Sequence, residues 1–341
     1  MTRRLRRSPA VLALPVALVL LAAPLDPSSA SARAKAGASR HPQAHAAATY
    51  MTGIGDQQAE MFGNPLWQQL HTRIARYVAP YDAVIRRASL AKATEWIRAA
   101  EAQHVKVLVA FYHSEYTPTV LPSVAQYQHD VQKFIKRFPY VRQYQAWDEA
   151  NRGNVPHVFS SPSPKATAQY YQALRRVCFT CTVIGLDVLD QNKIGPTVRY
   201  IEEFKREIGR LRTVMPAIWR LHDYSDVNRY ESWRTREVSR VLGGQVWLTE
   251  TGGIVQFGGA FTNRNGAGLT RAAKVLKYTF ALAASQSSRI KRLYLYDWTG
   301  GVDSTRFDAG LTDAHHRPRP GYVVVCRTLH GAKCGVKISR R

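Results

Sequence analysis

Between residues 50 and 298, short apolar runs alternate with longer stretches in which apolar positions recur every three to four residues. The short runs predict strands, and the longer stretches predict amphipathic helices. The clearest helix is LAKATEWIRAAEAQH (90–104), whose Ala93, Trp96, Ile97 and Ala100 share one face. The eight predicted strands cover residues 50–56, 76–85, 105–113, 141–147, 182–189, 216–224, 245–251 and 290–298.

This alternation predicts parallel strands joined by helical crossovers. Eight such units in about 290 residues match the size of a (β/α)8 TIM barrel of the α/β class. We therefore expect one barrel domain over residues 50–341. An open doubly wound sheet is the alternative, and it is weakened because GIGDQQ, which begins within the first strand, lacks the G-x-G-x-x-G spacing of such folds.

The first 49 residues do not follow the alternation. Four arginines between positions 3 and 7 precede the apolar run AVLALPVALVLLAAPL, and Ala30-Ser31-Ala32 follows as a small-residue cleavage motif. This is the layout of a secretory signal peptide, so we assign residues 1–32 to a signal peptide and residues 33–49 to an Ala-rich linker. The run is short for a membrane span, which makes a retained anchor the weaker alternative. We expect a secreted, extracellular protein without membrane attachment.

Four cysteines, Cys178, Cys181, Cys326 and Cys334, fit an oxidising compartment. They allow three pairings, and we favour pairing within each neighbouring couple because each closes a short loop. The CFTC spacing also suits half a zinc site or a redox pair, but there is no second CxxC and no H-E-x-x-H motif. We expect structural disulfides, no metal and no cofactor.

The formal net charge is +24, and removing residues 1–32, with four arginines and Asp26, leaves +21. This balance favours acidic partners such as a teichoic or uronic cell-wall polymer, or nucleic acid. The basic residues are spread along the chain without a nucleic-acid-binding motif, which weakens the nucleic-acid interpretation. An ordinary solvated surface explains the charge about as well, so charge does not decide the chemistry.

Polar residues collect at the C-terminal ends of the predicted strands, which form the functional face of a barrel. Glu149 follows strand four and Glu250 ends strand seven. Glycosidic hydrolysis needs two such carboxylates, one to protonate the leaving oxygen and one to attack or to activate water. In VWLTE, Glu250 points to the mouth if Val246 and Leu248 fill the barrel interior. Further candidates at these ends are Asp56, Tyr112, His113, Asp148, Asn151, His222, Tyr224 and Trp298.

Several candidates have plain structural interpretations. For Asp56, Tyr112 and His113 a rim position without function is the preferred one. Asn151 is a possible cap for the next turn. Arg76 stands at the start of predicted strand two, where support of the site from that strand is the weaker interpretation.

Four segments resemble motifs of the retaining glycoside hydrolases of clan A. QAWDEAN is similar to their strand-four acid/base motif, VWLTETGG to their strand-seven nucleophile motif, LHDYSD to their strand-six segment and LYDWTG to their strand-eight aromatic motif. The resemblance covers residues 50–321 in layout. It implies that Glu149 is the acid/base and Glu250 the nucleophile, that His222 and Tyr224 hold the nucleophile or the sugar, and that Trp298 stacks on the sugar.

One position departs from this pattern. The clan has Asn before the acid/base, where its amide bonds the sugar 2-hydroxyl, and this chain has Asp148. The departure leaves open an unusual substrate, an acidic optimum or loss of activity. The expected function is a secreted retaining glycoside hydrolase acting on a poly- or oligosaccharide. The alternative, favoured by Asp148 and the basic charge, is a barrel that binds carbohydrate or cell-wall polymer without cleaving it.

Overall fold

The computed structural model describes residues 50–301 and 306–336. The predicted signal peptide and linker lie outside the described residues. Strands β1 to β8 and β10 build the main sheet, while β9 and β11 pair antiparallel in a small separate sheet. The strands are β1 Met51–Gly55, β2 Ile74–Pro80, β3 Lys106–Tyr112, β4 Gln143–Gln145, β5 Thr182–Ile184, β6 Asp187–Leu189, β7 Ile218–His222, β8 Gln245–Thr251, β9 Gln256–Phe257, β10 Ile290–Tyr296 and β11 Phe307–Asp308.

The main sheet closes through a broken strand. Its order is β5-β4-β3-β2-β1-β10-β8-β7-β6, and every neighbouring pair is parallel. Only Gly185 and Leu186 separate β5 from β6, so these two segments are halves of the predicted fifth strand. The first half pairs with β4 and the second with β7. The sheet is therefore an eight-stranded parallel barrel, and the predicted fold class is confirmed.

The break occurs at a glycine for a steric reason. The Gly185 amide donates to the Ile218 carbonyl at 2.8 Å, so the chain has already reached its new neighbour there. A Cβ atom at Gly185 would lie 2.6 Å from Cβ of Pro216, closer than real contacts allow. Only a residue without a side chain fits this crossing.

Helices surround the barrel on the outside. They are α1 Pro65–Leu70, α2 Arg87–Ala102, α3 Val124–Arg137, α4 Pro164–Val177, α5 Ile194–Arg210, α6 Tyr224–Val227, α7 Trp233–Leu242, α8 Ala267–Ser285 and α9 Pro320–His330. Their apolar faces pack on outward-facing strand residues, as where Trp96 of α2 stacks on Tyr77 of β2 with 5.0 Å between ring centroids. Among the described helices, none is long and apolar enough to cross a membrane.

A second apolar cluster fills the barrel interior. Its fully buried members, Ile74, Leu108, Ile184, Trp247 and Tyr294, come from five different strands and from no helix. Side chains alternate between the two faces of a strand, so the residues two positions further toward the C-terminal ends also point inward. That alternation decides which polar residues reach the barrel mouth.

Both disulfides join the neighbouring cysteines. Cys178–Cys181 lies at the C-terminal end of α4, and Cys326–Cys334 ties α9 to the turn that follows it. The predicted pairing is confirmed.

We expect Gly185→Ala to lower the free energy of unfolding by about 1–3 kcal/mol, because the new methyl group must displace Pro216. Gly209→Ala is the matched control: Gly209 lies in α5 with no atom near its virtual Cβ. Alanine there should be neutral or stabilise by up to about 1 kcal/mol. Urea unfolding of both variants measures the difference, and equal stabilities would contradict the steric explanation.

Candidate active site

Glu149 and Glu250 lie together at the barrel mouth. Glu149 lies four residues beyond the end of β4. Glu250 is the second-to-last residue of β8 and pairs with His222 of β7. One oxygen of each carboxylate and one ring nitrogen of His222 all lie within 4.8 Å of one another. Only 1% of Glu149 and 4% of Glu250 are exposed. Two buried carboxylates at this distance need cations or hydrogen-bond donors around them.

His222, the last residue of β7, bridges three carboxylates. Its Nδ1 lies 2.9 Å from Oε1 of Glu149 and 3.7 Å from Oε2 of Glu250, and its Nε2 lies 3.2 Å from Oδ2 of Asp187. Burial alone would lower the pKa of His222, but the charges of Asp187 and Glu250 outweigh it and raise that pKa well above its ordinary value. The shift favours the imidazolium form, in which Nδ1–H can donate to Glu149 while the ring charge faces Asp187 at ion-pair distance.

Arg76 is the second cation of the site, and its assignment to the start of strand two was wrong. Strand β2 begins at Ile74, two residues earlier than predicted, so Arg76 lies within it and points inward like Ile74. The guanidinium is fully buried, donates to Oε1 of Glu250 at 2.5 Å and contacts Oδ1 of Asp148. These carboxylates raise the pKa of Arg76 despite its burial. Arg76 thus holds the carboxylate of Glu250.

Asp148 and Asp187 complete the inner ring of charges. Burial and the nearby Glu250 and Asp187 raise the pKa of Asp148 well above its ordinary value, and Arg76 only partly opposes them. Its second oxygen, Oδ2, has no partner among the described residues. Burial acts on Asp187 in the same direction, but His222, Arg220 and Arg76 reverse it and hold its pKa below the ordinary value. The two carboxyls are thus shifted in opposite directions, Asp148 toward the protonated form and Asp187 toward the ionised form.

A bulge in β8 aims Glu250 into the barrel. Val246 and Leu248 pack with the helices, and Trp247 fills the interior, so the predicted inward face of this strand was wrong. From Leu248 to Glu250, β8 advances by two residues while its neighbour β7 advances by one. From Leu248 to Thr251, β8 advances by three residues while its neighbour β10 advances by two. The extra residue near Thr249 reverses the alternation, as β-bulges do, and brings Glu250 inside beside His222.

The Arg152 side chain lies beside Oε2 of Glu149. Glu149 has φ 44°, a left-handed conformation that side-chain-bearing residues rarely adopt, and its carbonyl accepts from the Arg152 amide in a tight turn. The turn folds the Arg152 guanidinium back, so that Nη1 lies 3.2 Å from Oε2 of Glu149 and 3.1 Å from the Tyr112 hydroxyl. Phe159 lies against the guanidinium at 4.5 Å.

Three predicted substrate contacts are engaged by the chain itself. Asp56 accepts from the amides of Trp298 and Thr299, and burial raises its pKa to about 6. Asn151 bonds the amide and carbonyl of Leu189, which ties the strand-four loop to β6 and is not a helix cap. Trp298 is 0% exposed and packs edge-to-face on Trp67 and Tyr322, so the predicted stacking platform is a core residue.

The remaining candidates lie around the carboxylates. The Tyr112 hydroxyl contacts Arg152, whereas His113 stacks on Phe159 and bonds the Ser114 carbonyl. Tyr224 is buried near Glu250, and its hydroxyl reaches the Tyr296 carbonyl at 3.5 Å. Strand β10 ends at Tyr296, two residues earlier than predicted, so Tyr296 and not Trp298 is its mouth aromatic.

Sequence reasoning missed Asp187, Arg152 and Tyr296 as site residues. Asp187 offered a signal, since it is a charged residue inside an apolar predicted strand, TVIGLDVL. Arg152 offered none, because its role depends on the backbone turn at Glu149. Tyr296 differs from Trp298 only by the position of the strand end, a boundary that patterns locate poorly.

The site offers few ligands for a metal. Glu149, His222 and Glu250 have convergent donor atoms, but a protonated His222 has no lone pair to offer, and Arg76 occupies one oxygen of Glu250. A small apolar cluster packs against Tyr296, the last residue of β10, and its buried members are Leu189, Tyr224, Ile254, Phe257, Phe307 and Ala309. A surface groove of about 480 Å³ lies elsewhere, between α8 and α9 on the outside of the barrel.

Solved glycoside hydrolases share this fold. The chain is similar to a family 39 glycoside hydrolase from Bacteroides cellulosilyticus (TM-score 0.55, 15% identity), covering 83% of this chain and 64% of that one. It is also similar to a xylanase from Paenibacillus barcinonensis (TM-score 0.61, 10% identity, 82% and 95% coverage) and to a family 10 endoxylanase from a sugarcane soil metagenome (TM-score 0.57, 10% identity, 82% and 96% coverage). No protein-family model and no curated protein matches the chain. At these identities the likeness establishes the barrel fold.

We expect Asp187→Asn to lower the pKa of His222, because Asp187 is the largest of the charges that raise it. The ring nitrogen chemical shifts of His222, followed by NMR against pH, should remain those of an imidazolium to higher pH in the wild-type protein than in the variant. Asp313→Asn, which removes a carboxylate paired with Arg317 on the outer surface, should leave the titration unchanged. An unchanged titration in Asp187→Asn would contradict the charge assignment.

Proposed function

We propose that the protein is a secreted glycoside hydrolase that cleaves an oligo- or polysaccharide with retention of configuration. The observation that carries the proposal is the approach of Glu149 and Glu250 to within 4.8 Å at the carboxyl ends of barrel strands four and seven. Retaining enzymes hold their two carboxyl groups about 5–5.5 Å apart, and inverting enzymes about 6.5–9.5 Å. The closeness of one oxygen of each carboxylate therefore favours direct attack by Glu250 over attack by an activated water. Both disulfides fit export.

The reaction has two steps. In the first, an oxygen of Glu250 bonds to the anomeric carbon while the glycosidic bond breaks, and the proton of Glu149 passes to the leaving oxygen. In the second, water attacks the same carbon, its proton returns to Glu149, and the bond to Glu250 breaks. Arg76 donates to Glu250 and holds its carboxylate in place for the attack, and His222 orients both carboxylates.

Asp148 takes the position of the clan's amide as a neutral acid in this proposal. Oδ1 contacts Arg76, and the raised pKa of Asp148 leaves a proton for the unpartnered Oδ2. A protonated carboxyl can donate to a sugar hydroxyl as an amide does. The departure from the motif is then compatible with activity.

Glu250→Ala should lower hydrolysis of a reactive aryl glycoside roughly 10³-fold or more. Azide should restore turnover and yield the glycosyl azide of inverted configuration, because it enters from the face that the carboxylate vacated. Glu149→Ala with azide should yield the retained glycosyl azide instead. Product configuration by NMR measures both, and Glu101→Ala, in an exposed part of α2, is the control. Wild-type activity in Glu250→Ala would rule out the assignment.

Asp148→Asn should keep activity within about tenfold of the wild type, because an amide also donates and accepts at this position. Asp148→Leu has no such group and should lose roughly tenfold to a hundredfold in kcat/KM. Equal losses in the two variants would mean that the charge of Asp148, and not its hydrogen bonding, matters.

A barrel that binds glycans without cleaving them is the second candidate, and the low exposure of both glutamates favours it. A glycan panel distinguishes the two, with xylans included because two structural neighbours are xylanases. New reducing ends support hydrolysis, whereas retention of glycans without new ends supports the binding barrel.

A further inference from the structure

Arg152 is a buried cation with unused donors. Its side chain is only 2% exposed, and Nη1 makes its contacts with Glu149 and Tyr112. Nε and Nη2, which together form one edge of the guanidinium, are buried and have no partner among the described residues. Leaving such donors unpaired is costly, so this edge is suited to a ligand that brings its own acceptors.

The position of Arg152 relative to the two glutamates defines which part of a substrate it meets. His222 contacts Oε1 of Glu149 and approaches Glu250, whereas Arg152 contacts the other oxygen, Oε2. Arg152 therefore lies on the side of the acid/base that faces away from the nucleophile. The leaving sugar occupies that side, because it departs from the anomeric carbon opposite to the attacking carboxylate.

We propose that Arg152 recognises a uronic acid carboxylate on the leaving-group side of the cleaved bond, so that the substrate is an anionic polysaccharide. This inference rests on the proposed hydrolase function. The Nε–Nη2 edge presents two parallel N–H groups, which match the two oxygens of a carboxylate. The net charge, +21 without the predicted signal peptide, is compatible with an anionic polymer, although an ordinary solvated surface explains it about as well.

A substrate carboxylate would also release the acid/base. To act as an acid, Glu149 must carry a proton, and taking up that proton costs its ion pair with Arg152. A uronate bound to Arg152 compensates the guanidinium charge and removes this opposition, whereas a neutral sugar leaves the pair intact. In this proposal, binding of a uronic acid and release of Glu149 from its ion pair with Arg152 occur together.

The loop after Arg152 packs against the face of its guanidinium, and in this proposal it moves when a ligand enters. Phe159 packs on the guanidinium, and Val155 pairs with Phe159 across a tight turn. The Ser160 amide anchors the loop to the Pro118 carbonyl.

The test compares uronic acid polymers with the same polymers after reduction of their carboxylates to alcohols. The probes are polygalacturonate, hyaluronan and glucuronoxylan, and the binding protein is the Glu250→Ala variant, which cannot turn them over. We expect at least one native polymer to bind roughly tenfold to a hundredfold more tightly than its reduced form. Arg152→Gln in the same background should remove that difference. Arg98→Gln, an exposed change of equal charge on α2, should preserve it.

The outcomes separate this inference from the proposed function. Equal binding of native and reduced polymers, or a preference that survives Arg152→Gln, would overturn the inference even if wild-type protein releases reducing ends from glycans. Arg152-dependent binding without any release by the wild type would support recognition of a carboxylate by Arg152, but would refute hydrolysis and with it the assignment of that carboxylate to the leaving group. Arg152→Lys keeps the charge but lacks the paired edge, so it should also lose most of the preference. If circular dichroism shows that Arg152→Gln does not fold, Arg152→Lys replaces it in the binding experiment.

Discussion

The barrel mouth depends on the compensation of buried charge. Four carboxyl groups, Asp148, Glu149, Asp187 and Glu250, lie within the barrel with at most 4% exposure. An isolated carboxylate in such surroundings would cost many kilocalories per mole or would take up a proton. Four basic side chains stand among them, namely Arg76, Arg152, Arg220 and His222. Removing Arg76, Arg152 or His222 leaves a buried carboxylate without its ion-pair partner, so the site is held together as a network.

The network also explains why the strands deviate from regular geometry at this end. Asp187 reaches His222 only because strand five breaks at Gly185 and its second half pairs with β7. Glu250 reaches Arg76 only because β8 carries a bulge. Glu149 meets both His222 and Arg152 from a left-handed turn. Each irregularity brings one carboxylate to its cations, and the cost in backbone regularity is offset by those ion pairs.

This dependence on tertiary contacts set the limit of what sequence patterns could predict. Strand rank alone placed Glu149 and Glu250 at the same end of one barrel, because the C-terminal ends of parallel strands meet there. Errors of two residues at strand ends were enough to move Arg76 out of the site and Trp298 into it. Alternation along β8 predicted the wrong inward face, since a bulge adds one residue that no local pattern marks. Fold class and the pair of acids were therefore predictable, whereas their partners were not.

The same compensation that permits burial restricts when the site can act. In the free protein both oxygens of Glu149 face a cation, His222 on one side and Arg152 on the other. An acid catalyst must exchange at least one of these pairs for a proton, and the protein gains nothing from that exchange unless the displaced cation finds another anion. Asp148, Asp187 and Asp223 keep buried carboxyl oxygens without hydrogen-bond partners among the described residues, but none of them bonds Arg152. Under the proposed function, a uronate of the ligand supplies the compensating anion, which would tie the chemistry of the site to the charge of what it binds.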